Sequence, residues 1–407
     1  MPAGTVSPAE TVVEVLGHRC GEENPTDAAI APSLLEMLRE VPDPRDPRGI
    51  RYPLATLLAI AILATAAGMR SFAGFATWTR MAPVEVLSEL GTRFRRPSEK
   101  TFRSVLTRLD AADLDRRLGE YFMTVAVAAV DIEAGELLAI ALDGKTVRGA
   151  RAGGGRAPHL VSVYAHHARI VLGQIAVAMK TNEIPTVRTL LRLLKRTRLL
   201  VTVDAMHTQV ATAKLICGQL KSHYLMTVKD NQPKLLARIK AQPWAGVPIV
   251  LRDVEDKPSH GRLETRTFKI LTAPRGIGFP YARQIIEITR VRVEVSTGKR
   301  SREVVYALCS VAFEQASAKL IAAWLRNHWG IENAIHWVRD VTYDEDRSTV
   351  RTGNAPQVMA ALRNTAINLH RLQGQINIAE ACRTTAFTND RAVHLVTKPQ
   401  NTWSDAA

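Results

Sequence analysis

The chain has 407 residues, enough for two or three domains with their own cores, and its mean hydropathy of −0.05 is that of an ordinary globular protein. Its formal net charge of +15 favours a polyanionic partner, for which nucleic acid is the first candidate. The four scattered cysteines exclude a CxxC zinc or redox motif and predict reduced thiols in a cytoplasmic protein.

No signal-peptide pattern opens the chain, and the longest uncharged apolar run, from Leu54 to Met69, ends at Arg70. This run is shorter than a usual membrane span. We therefore predict a buried helix and no membrane association.

The first part of the chain reads as helical. Residues 1–32 are small, polar and mixed in charge, and we expect a disordered leader. Residues 33–130 carry helical periodicity and predict an all-helical N-terminal domain. In PSEKTFRSVLTRL, Ser98 is the predicted N-cap of a basic helix, which is either a DNA-recognition helix or a solvated face.

Residues 131–370 predict a mixed α/β domain. Apolar, β-branched runs and amphipathic segments follow one another in the order β-β-β-α-β-α-β. A β-rich, largely antiparallel insertion is expected at about 245–310, and helices follow it. Residues 371–407 predict one C-terminal helix and a polar tail.

Two aspartates end apolar strands of the predicted sheet. Asp143 lies in ALDGKTVRG and Asp204 in VTVDAMHTQ. Either one alone is explained as a strand-end residue that caps the next turn. Because the two strands are expected to be neighbours, we predict both acids at one edge of the sheet, where ligand chemistry concentrates in α/β folds.

A two-metal phosphoryl-transfer site needs a further carboxylate, and Glu332 is the candidate. It lies in HWGIENAIHWVRDV, which reads as a helix packed against the sheet. Mg²⁺ prefers oxygen ligands, and two ions can activate an attacking oxygen and stabilise a leaving oxygen. Asp340 is a weaker candidate for the same place.

The histidines on either side of Glu332, His328 and His336, raise the alternative of a zinc site. Eight residues of α-helix separate them by roughly 12 Å along the axis, which is too far for one shared ion. The HExxH signature is also absent. Trp329 and Trp337 are predicted to be core anchors of this helix, with base stacking as the alternative.

Seven ordered motifs together resemble the DDE transposases of bacterial insertion sequences, in the ISAs-one branch of the IS-four-like group. They are LDGKTVRG, KTNEIP, VTVDAMHTQ, VKDNQP, HGRLETR, RNHWGIENAIHWVRDVTYDED and GNAPQVMAALRNTAINL. The upstream stretch VPDPRDPRGIRYPLATLLAIAILATAAG resembles the helical domain of the same branch. The resemblance covers residues from about 33 to about 395.

The resemblance implies an RNase H-like catalytic core with a β-strand insertion, in a protein of the bacterial cytosol. It implies Asp143, Asp204 and Glu332 as the DDE triad, holding two Mg²⁺ ions for which Mn²⁺ can substitute. The expected reaction is hydrolytic nicking of transposon ends, then attack of the freed 3′-OH on target DNA. Because two ends must be held together, we expect a homodimer in the synaptic complex.

The helix that carries Glu332 departs from the pattern of the wider group. The group has Arg four residues before this Glu and Lys seven residues after it. His328 and Arg339 stand at these positions here, and Arg339 keeps the basic character that suits a phosphate contact.

Other DNA contacts are expected from basic and amide side chains near the acids and on the insertion. For each of them a solvated surface or a turn is the alternative. The candidates are Lys145, Arg148, Lys229, Asn231, Gln232, Arg262, Arg326 and Arg339.

Two other functions stay open on the sequence alone. One is an RNase H-like nuclease that does not transpose. The other is an inactive or domesticated transposase that acts as a DNA-binding protein. Intact acids at all three motif positions favour an active transposase.

Overall fold

The computed structural model describes residues 32–92, 95–128, 137–151, 157–178, 182–255, 258, 261–388 and 392–399. The predicted leader, apart from residue 32, and the end of the predicted tail lie outside these ranges. Cys20 also lies outside them, while Cys217, Cys309 and Cys382 are free thiols.

Within the described residues 32–92 and 95–128, the region before the sheet is helical, as predicted. Its helices are α1 (Leu34–Arg39), α2 (Leu54–Ala66), α3 (Phe72–Met81), α4 (Val84–Glu89), α5 (Glu99–Leu106) and α6 (Ala111–Ala128). Ser98 is the N-cap of α5, and its side chain accepts a hydrogen bond from the backbone of Thr101.

Helix α2 explains the longest apolar run of the sequence. All of its residues are buried, and it packs against α1 and against the helix Ala355–Leu372. A helix that is apolar on every side belongs in a protein core, so the predicted buried helix is confirmed. In the part of the chain that the structure describes, no helix has the length and apolarity to cross a membrane.

The strands form one mixed sheet. They are β1 (Leu138–Thr146), β2 (His159–Ala165), β3 (Val171–Ala176), β4 (Leu199–Val203), β5 (His223–Val228), β6 (Leu251–Val254), β7 (Arg262–Thr272), β8 (Gln284–Glu294) and β9 (Arg300–Cys309). Their order in the sheet is β3-β2-β1-β4-β5-β9-β8-β7-β6.

The first five strands have the arrangement of an RNase H-like core. Strands β1, β2 and β3 are antiparallel neighbours, and β4 and β5 run parallel to β1. Together with the helices beside it, this sheet confirms the predicted α/β, RNase H-like fold class. Strands β6 to β9 extend the same sheet through the antiparallel pair of β5 and β9.

The remaining helices lie between the strands and after them. They are α7 (Glu183–Leu193), α8 (Val210–Ala213, continued by a π-helix over Lys214–Gln219), α9 (Pro233–Lys240), α10 (Ala318–His328), α11 (Trp337–Val341), α12 (Ala355–Leu372), α13 (Ile378–Phe387) and α14 (His394–Thr397). A π-helical turn over Glu332–His336 precedes α11.

Both faces of the central strands are buried. Leu142 of β1 packs in the core that also contains Leu190 of α7, whereas Ala139 of β1 packs with Ile321 of α10 on the other face. Because side chains alternate along a strand, Asp143 lies on the face covered by α10.

Candidate active site

Strand register brings Asp143 and Asp204 together. In the parallel pair of β1 and β4, Leu142 lies opposite Val203, so the next residue of each strand is an aspartate. Strand β4 stops at Val203, and Asp204 begins the turn that follows it. The two acids therefore lie next to each other on adjacent strands, as predicted.

One detail of that prediction is wrong. Asp143 does not end its strand, since β1 continues to Thr146 by pairing with β2 alone. Strand β4, the neighbour of β1 on the other side, ends at Val203, which lies opposite Leu142. The Asp143 side chain, 35% exposed, therefore stands beside open space although its own strand continues.

Glu332 comes to Asp143 from the helical segment above the sheet. The Nδ1 atom of His336 lies 2.9 Å from the Glu332 carboxylate and 3.4 Å from the Asp143 carboxylate. Ligand atoms of Asp143, Glu332 and His336 all lie within 4.8 Å of one another. His336 was absent from the predicted site.

Glu332 and His336 are the first and last residues of the π-helical turn. Residues four apart are neighbours on a helix surface, so these two side chains lie close together. The hydrogen bond from His336 is the main cause that lowers the pKa of Glu332. Burial opposes a charge on His336, but its bonds to Asp143 and Glu332 outweigh burial and raise its pKa.

Asp204 is about as open as Glu332, whose side chain is 54% exposed. The Asp204 side chain is 51% exposed and lies 3.7 Å from the Nζ atom of Lys229. It does not belong to the cluster formed by Asp143, Glu332 and His336. The backbone brings Asp204 beside Asp143, and its own side chain makes no capping hydrogen bond in the following turn.

His328 has a partner that the sequence did not indicate. The hydroxyl of Thr202 donates to the carbonyl of Ile140, and it lies 3.1 Å from both His328 Nδ1 and His166 Nε2. A hydroxyl has one proton and two lone pairs, so both rings donate to it. His328 therefore carries its proton on Nδ1, which leaves Nε2 as the acceptor.

Burial is the main influence on the pKa of His328 and lowers it, while the charges of Asp143 and Asp204 oppose this shift. The ring is therefore neutral at neutral pH. It supports the face of the sheet that carries the acids, through Thr202, two residues before Asp204.

Comparison with known proteins assigns the family. Residues 135–369 match the family described as Transposase DDE domain, and residues 35–122 match the one described as DDE_Tnp_1-associated. The chain belongs to the transposase DDE domain family. The DDE match covers β1, β4 and the helical segment, and so all three predicted acids.

Named relatives of this DDE-family chain are transposase-like proteins of Escherichia coli. The putative transposase YncI of strain O157:H7 is 30% identical over 352 residues, which are 83% of this chain and 87% of that protein. The H repeat-associated putative transposase YhhI of strain K12 is 30% identical over 241 residues, 56% of this chain and 63% of that protein.

Among solved structures, the chain is similar to a piggyBac transposase in a cryo-EM synaptic complex with hairpin DNA. The match covers 94% of this chain and 84% of that chain, with a TM-score of 0.43 and 10% identity.

The donor set of the DDE-family site fits a divalent cation. Two carboxylates and one imidazole present ligand atoms within 4.8 Å, and a further carboxylate, Asp204, follows the adjacent strand. Carboxylate oxygens suit hard divalent ions, and an imidazole nitrogen is a ligand for softer ones. DDE domains in general use divalent metal ions, and the side chains of Asp143, Glu332 and His336 are suited to bind one.

The predicted DNA contacts differ in exposure and in the partners they have. Arg148, Lys229 and Arg262 are exposed. Lys145 is mostly buried and lies 2.6 Å from Asp340. Arg326 is half exposed and pairs with Asp253 of β6.

The two amide residues support the turn after Asp204. Asn231 Nδ2 donates to the carbonyl of Ala205 at 2.6 Å, and Gln232 Nε2 donates to the carbonyl of Thr208 at 2.8 Å. Both predicted DNA contacts are therefore engaged within the protein.

The predicted phosphate contact of Arg339 is wrong. Its side chain is fully buried and donates to both oxygens of Glu345, whose second oxygen also accepts from Arg363. The extra residue of the π-turn rotates every later side chain by about 100° relative to an unbroken α-helix. This rotation turns Arg339 from the face of Glu332 into the core.

The tryptophans also differ from prediction. Trp329 is 50% and Trp337 is 57% exposed, so neither is a core anchor. Ile331, Ala334 and Ile335 are buried instead and fix this segment against the sheet.

Proposed function

We propose that this protein is a DNA transposase that nicks transposon ends and joins the freed 3′-OH to target DNA by two-metal phosphoryl transfer. One observation carries the proposal. Asp143 and Asp204 stand side by side at the end of β4, and Glu332 approaches Asp143 from the helical segment that covers the same face. Membership of the transposase DDE domain family supports it.

Asp143, Asp204 and Glu332 would hold two Mg²⁺ ions, for which Mn²⁺ can substitute. The bound ions would supply activation of the attacking oxygen and neutralisation of charge on the leaving oxygen. His336 bonds to Glu332 and lies close to Asp143, so it orients both carboxylates. Such preorganised charge is the main protein contribution to phosphoryl transfer.

Exposed cations flank the acids and suit the DNA backbone. Lys229 lies beside Asp204, and the side chain of Arg148, 74% exposed, follows β1 on the other side. We propose both as phosphate contacts, with Arg262 as a contact on β7. Arg148 and Lys229 lie 3.7 Å from Asp346 and Asp204, respectively, and both cations are more than half exposed. Lys145 and Arg326 make closer pairs with Asp340 and Asp253, so they can reach DNA only by exchanging partners.

A homodimer is the proposed assembly, because one reaction must hold two transposon ends. Sedimentation of the protein with DNA of the two ends tests this. A complex with two protein chains is expected, and a complex with one chain per pair of ends would contradict it.

A cleavage and joining assay tests the function. Purified protein is incubated with DNA from the two ends of the element and a target plasmid, with Mg²⁺ or with EDTA. We expect 3′-OH nicks at the ends and joined products with Mg²⁺ only. The variants Asp143→Ala, Asp204→Ala and Glu332→Ala should bind DNA but not cleave it, whereas the exposed-acid variant Glu314→Ala should cleave like wild type.

Other outcomes separate the alternatives. Nicking without joined products would indicate an RNase H-like nuclease. Specific binding without nicking in the wild type would indicate a DNA-binding protein. Normal cleavage by the Glu332→Ala protein would remove Glu332 from the site.

A further inference from the structure

A second polar cluster lies beneath the acids, on the opposite face of the sheet. Glu183, the first residue of α7, accepts hydrogen bonds on both carboxylate oxygens. His159 Nε2 lies 2.7 Å from one oxygen, and His207 Nε2 lies 2.8 Å from the other. Side-chain exposure is 14% for Glu183 and 2% for His207, so this is a largely buried bridge.

The protonation of the bridge is fixed by its own chemistry. Burial opposes the charge of Glu183, but the two histidines outweigh it and lower the pKa of Glu183 to about 2. An ionised carboxylate only accepts, so both histidines carry a proton on Nε2. The other ring nitrogen of His159 lies 2.9 Å from Thr146 Oγ1 on β1.

The chain leaves room for this bridge at Gly144. A Cβ atom at Gly144 would overlap the carboxylate of Glu183 and the ring of His159. Gly144 directly follows Asp143, so the strand that carries the first acid is shaped around the bridge.

The bridge joins the two segments that carry the aspartates. Thr146 and His159 tie it to β1 and β2, and His207 lies in the turn of residues 205–207 that Asp204 begins. The side chain of Asp204 makes no capping bond to this turn. The location of the Asp204 carboxylate therefore depends on how the turn itself is anchored.

We infer that Glu183 is a positioning residue of the active site, which holds the Asp204 turn in register with the Asp143 strand through His207 and His159. This inference rests on the proposed function and adds a residue to it. Glu183 faces away from the acids, so it acts through the backbone of β1 and of the turn.

The substitution Glu183→Gln tests the inference. A glutamine offers one acceptor oxygen and one NH₂ group, which would face the N–H of one histidine. Both charge-assisted bonds therefore become neutral ones, and one of them persists only if its histidine changes tautomer, while side-chain size is kept. We expect kcat for end cleavage and the affinity for Mn²⁺ to fall by about 10- to 100-fold, as for other residues that orient metal ligands, with DNA affinity unchanged.

Asp113→Asn is a matched control. The two oxygens of Asp113 also accept from two different side chains, those of Arg116 and Arg117, and the Asp113 side chain is 21% exposed, but it lies on α6. We expect this variant to keep the wild-type kcat and Mn²⁺ affinity. The double variant E183Q/H207Q should lose little more activity than E183Q, because both changes break the same contact.

Mn²⁺ binding is measured by electron paramagnetic resonance, with Asp204→Asn as the reference for loss of an acid. Wild-type kcat and Mn²⁺ affinity per folded molecule in Glu183→Gln would overturn the inference and leave the proposed function intact. If wild type does not cleave, the proposed function fails, and the Mn²⁺ affinity of Glu183→Gln still decides the inference. If Glu183→Gln does not fold, His159→Gln, at a more exposed position, replaces it with the same expected losses.

Discussion

Replacing Glu345 by glutamine is expected to destabilise the fold strongly, although Glu345 lies outside the proposed site. Its carboxylate joins Arg339 of α11 to Arg363 of α12, with exposures of 0% for Glu345 and Arg339 and 1% for Arg363. Removing the negative charge leaves two buried guanidinium groups uncompensated. Loss of one member of a buried ionic cluster costs about 3–5 kcal/mol.

The pKa of Glu345 gives a second way to obtain the free energy that its charge contributes to folding. Burial opposes the charge of Glu345, but the two arginines outweigh it and lower its pKa from 4.5 to about 2. This difference corresponds to about 3 kcal/mol of folding free energy. Because the folded-state pKa is the lower one, the stabilisation is present above pH 4.5 and is lost as the pH falls towards 2.

Urea unfolding followed by circular dichroism measures the effect at pH 7 and at lower pH. The gap between wild type and Glu345→Gln should be largest at pH 7 and shrink below pH 4.5. Glu303→Gln, which removes a half-exposed partner of Arg292, should cost less than about 1 kcal/mol. A free energy of unfolding for Glu345→Gln within about 1 kcal/mol of the wild-type value at pH 7 would show that the buried cluster does not stabilise the fold as described.

Three further predictions concern other parts of the molecule. Asp115 is buried between Gln174 and Gln357, and burial raises its pKa to about 7. Ionisation of Asp115 should therefore lower the free energy of unfolding as the pH rises from about 4 to about 7, and Asp115→Asn should remove this decrease in urea titrations. Gly149→Ala places a Cβ atom against the backbone of the Glu345 loop, so its thermal unfolding should show a loss of about 1–3 kcal/mol, and an unchanged melting temperature would contradict the close approach. Trp337→Ala should change stability by less than about 1 kcal/mol, because the side chain is exposed, whereas a core tryptophan would cost about 3–5 kcal/mol.

The order of strands and helices along the chain and the approximate place of the two aspartates could be predicted, because each depends on a local pattern. Apolar, β-branched runs indicate the strands, and the first acid after each run marks where polar residues begin, although β1 continues past Asp143. The parallel register then sets Asp143 beside Asp204 without any further information. The buried helix α2 was predictable for the same reason, since its residues are apolar on every side.

The wrong predictions for Arg339 and the tryptophans have two causes, the π-helical turn at Glu332–His336 and the choice of side chains that the segment buries. The sequence HWGIENAIHWVRDV reads as a continuous α-helix, and nothing in its residue types indicates a π-turn. That turn rotates Arg339 into the core. The Glu332–His336 spacing of four residues is a usable signal for this contact, because residues four apart are neighbours on a helix surface.

Exposure of Trp329 and Trp337 was not predictable from residue type. An amphipathic helix buries only one of its faces, and in this segment Ile331 and Ile335 form the buried face. The bridge through Glu183 could not be predicted from the sequence, because His159 and His207 each lie 24 residues from Glu183, one before it and one after it.

The account depends most on Asp204, which lies beside Asp143 through its backbone but outside the cluster of Asp143, Glu332 and His336. The direct measurement is cleavage of transposon-end DNA in Mg²⁺ by the Asp204→Asn protein, with DNA binding followed by fluorescence anisotropy. The account predicts that binding stays at the wild-type level and that cleavage is abolished. Cleavage by Asp204→Asn at the wild-type rate would contradict the three-acid site.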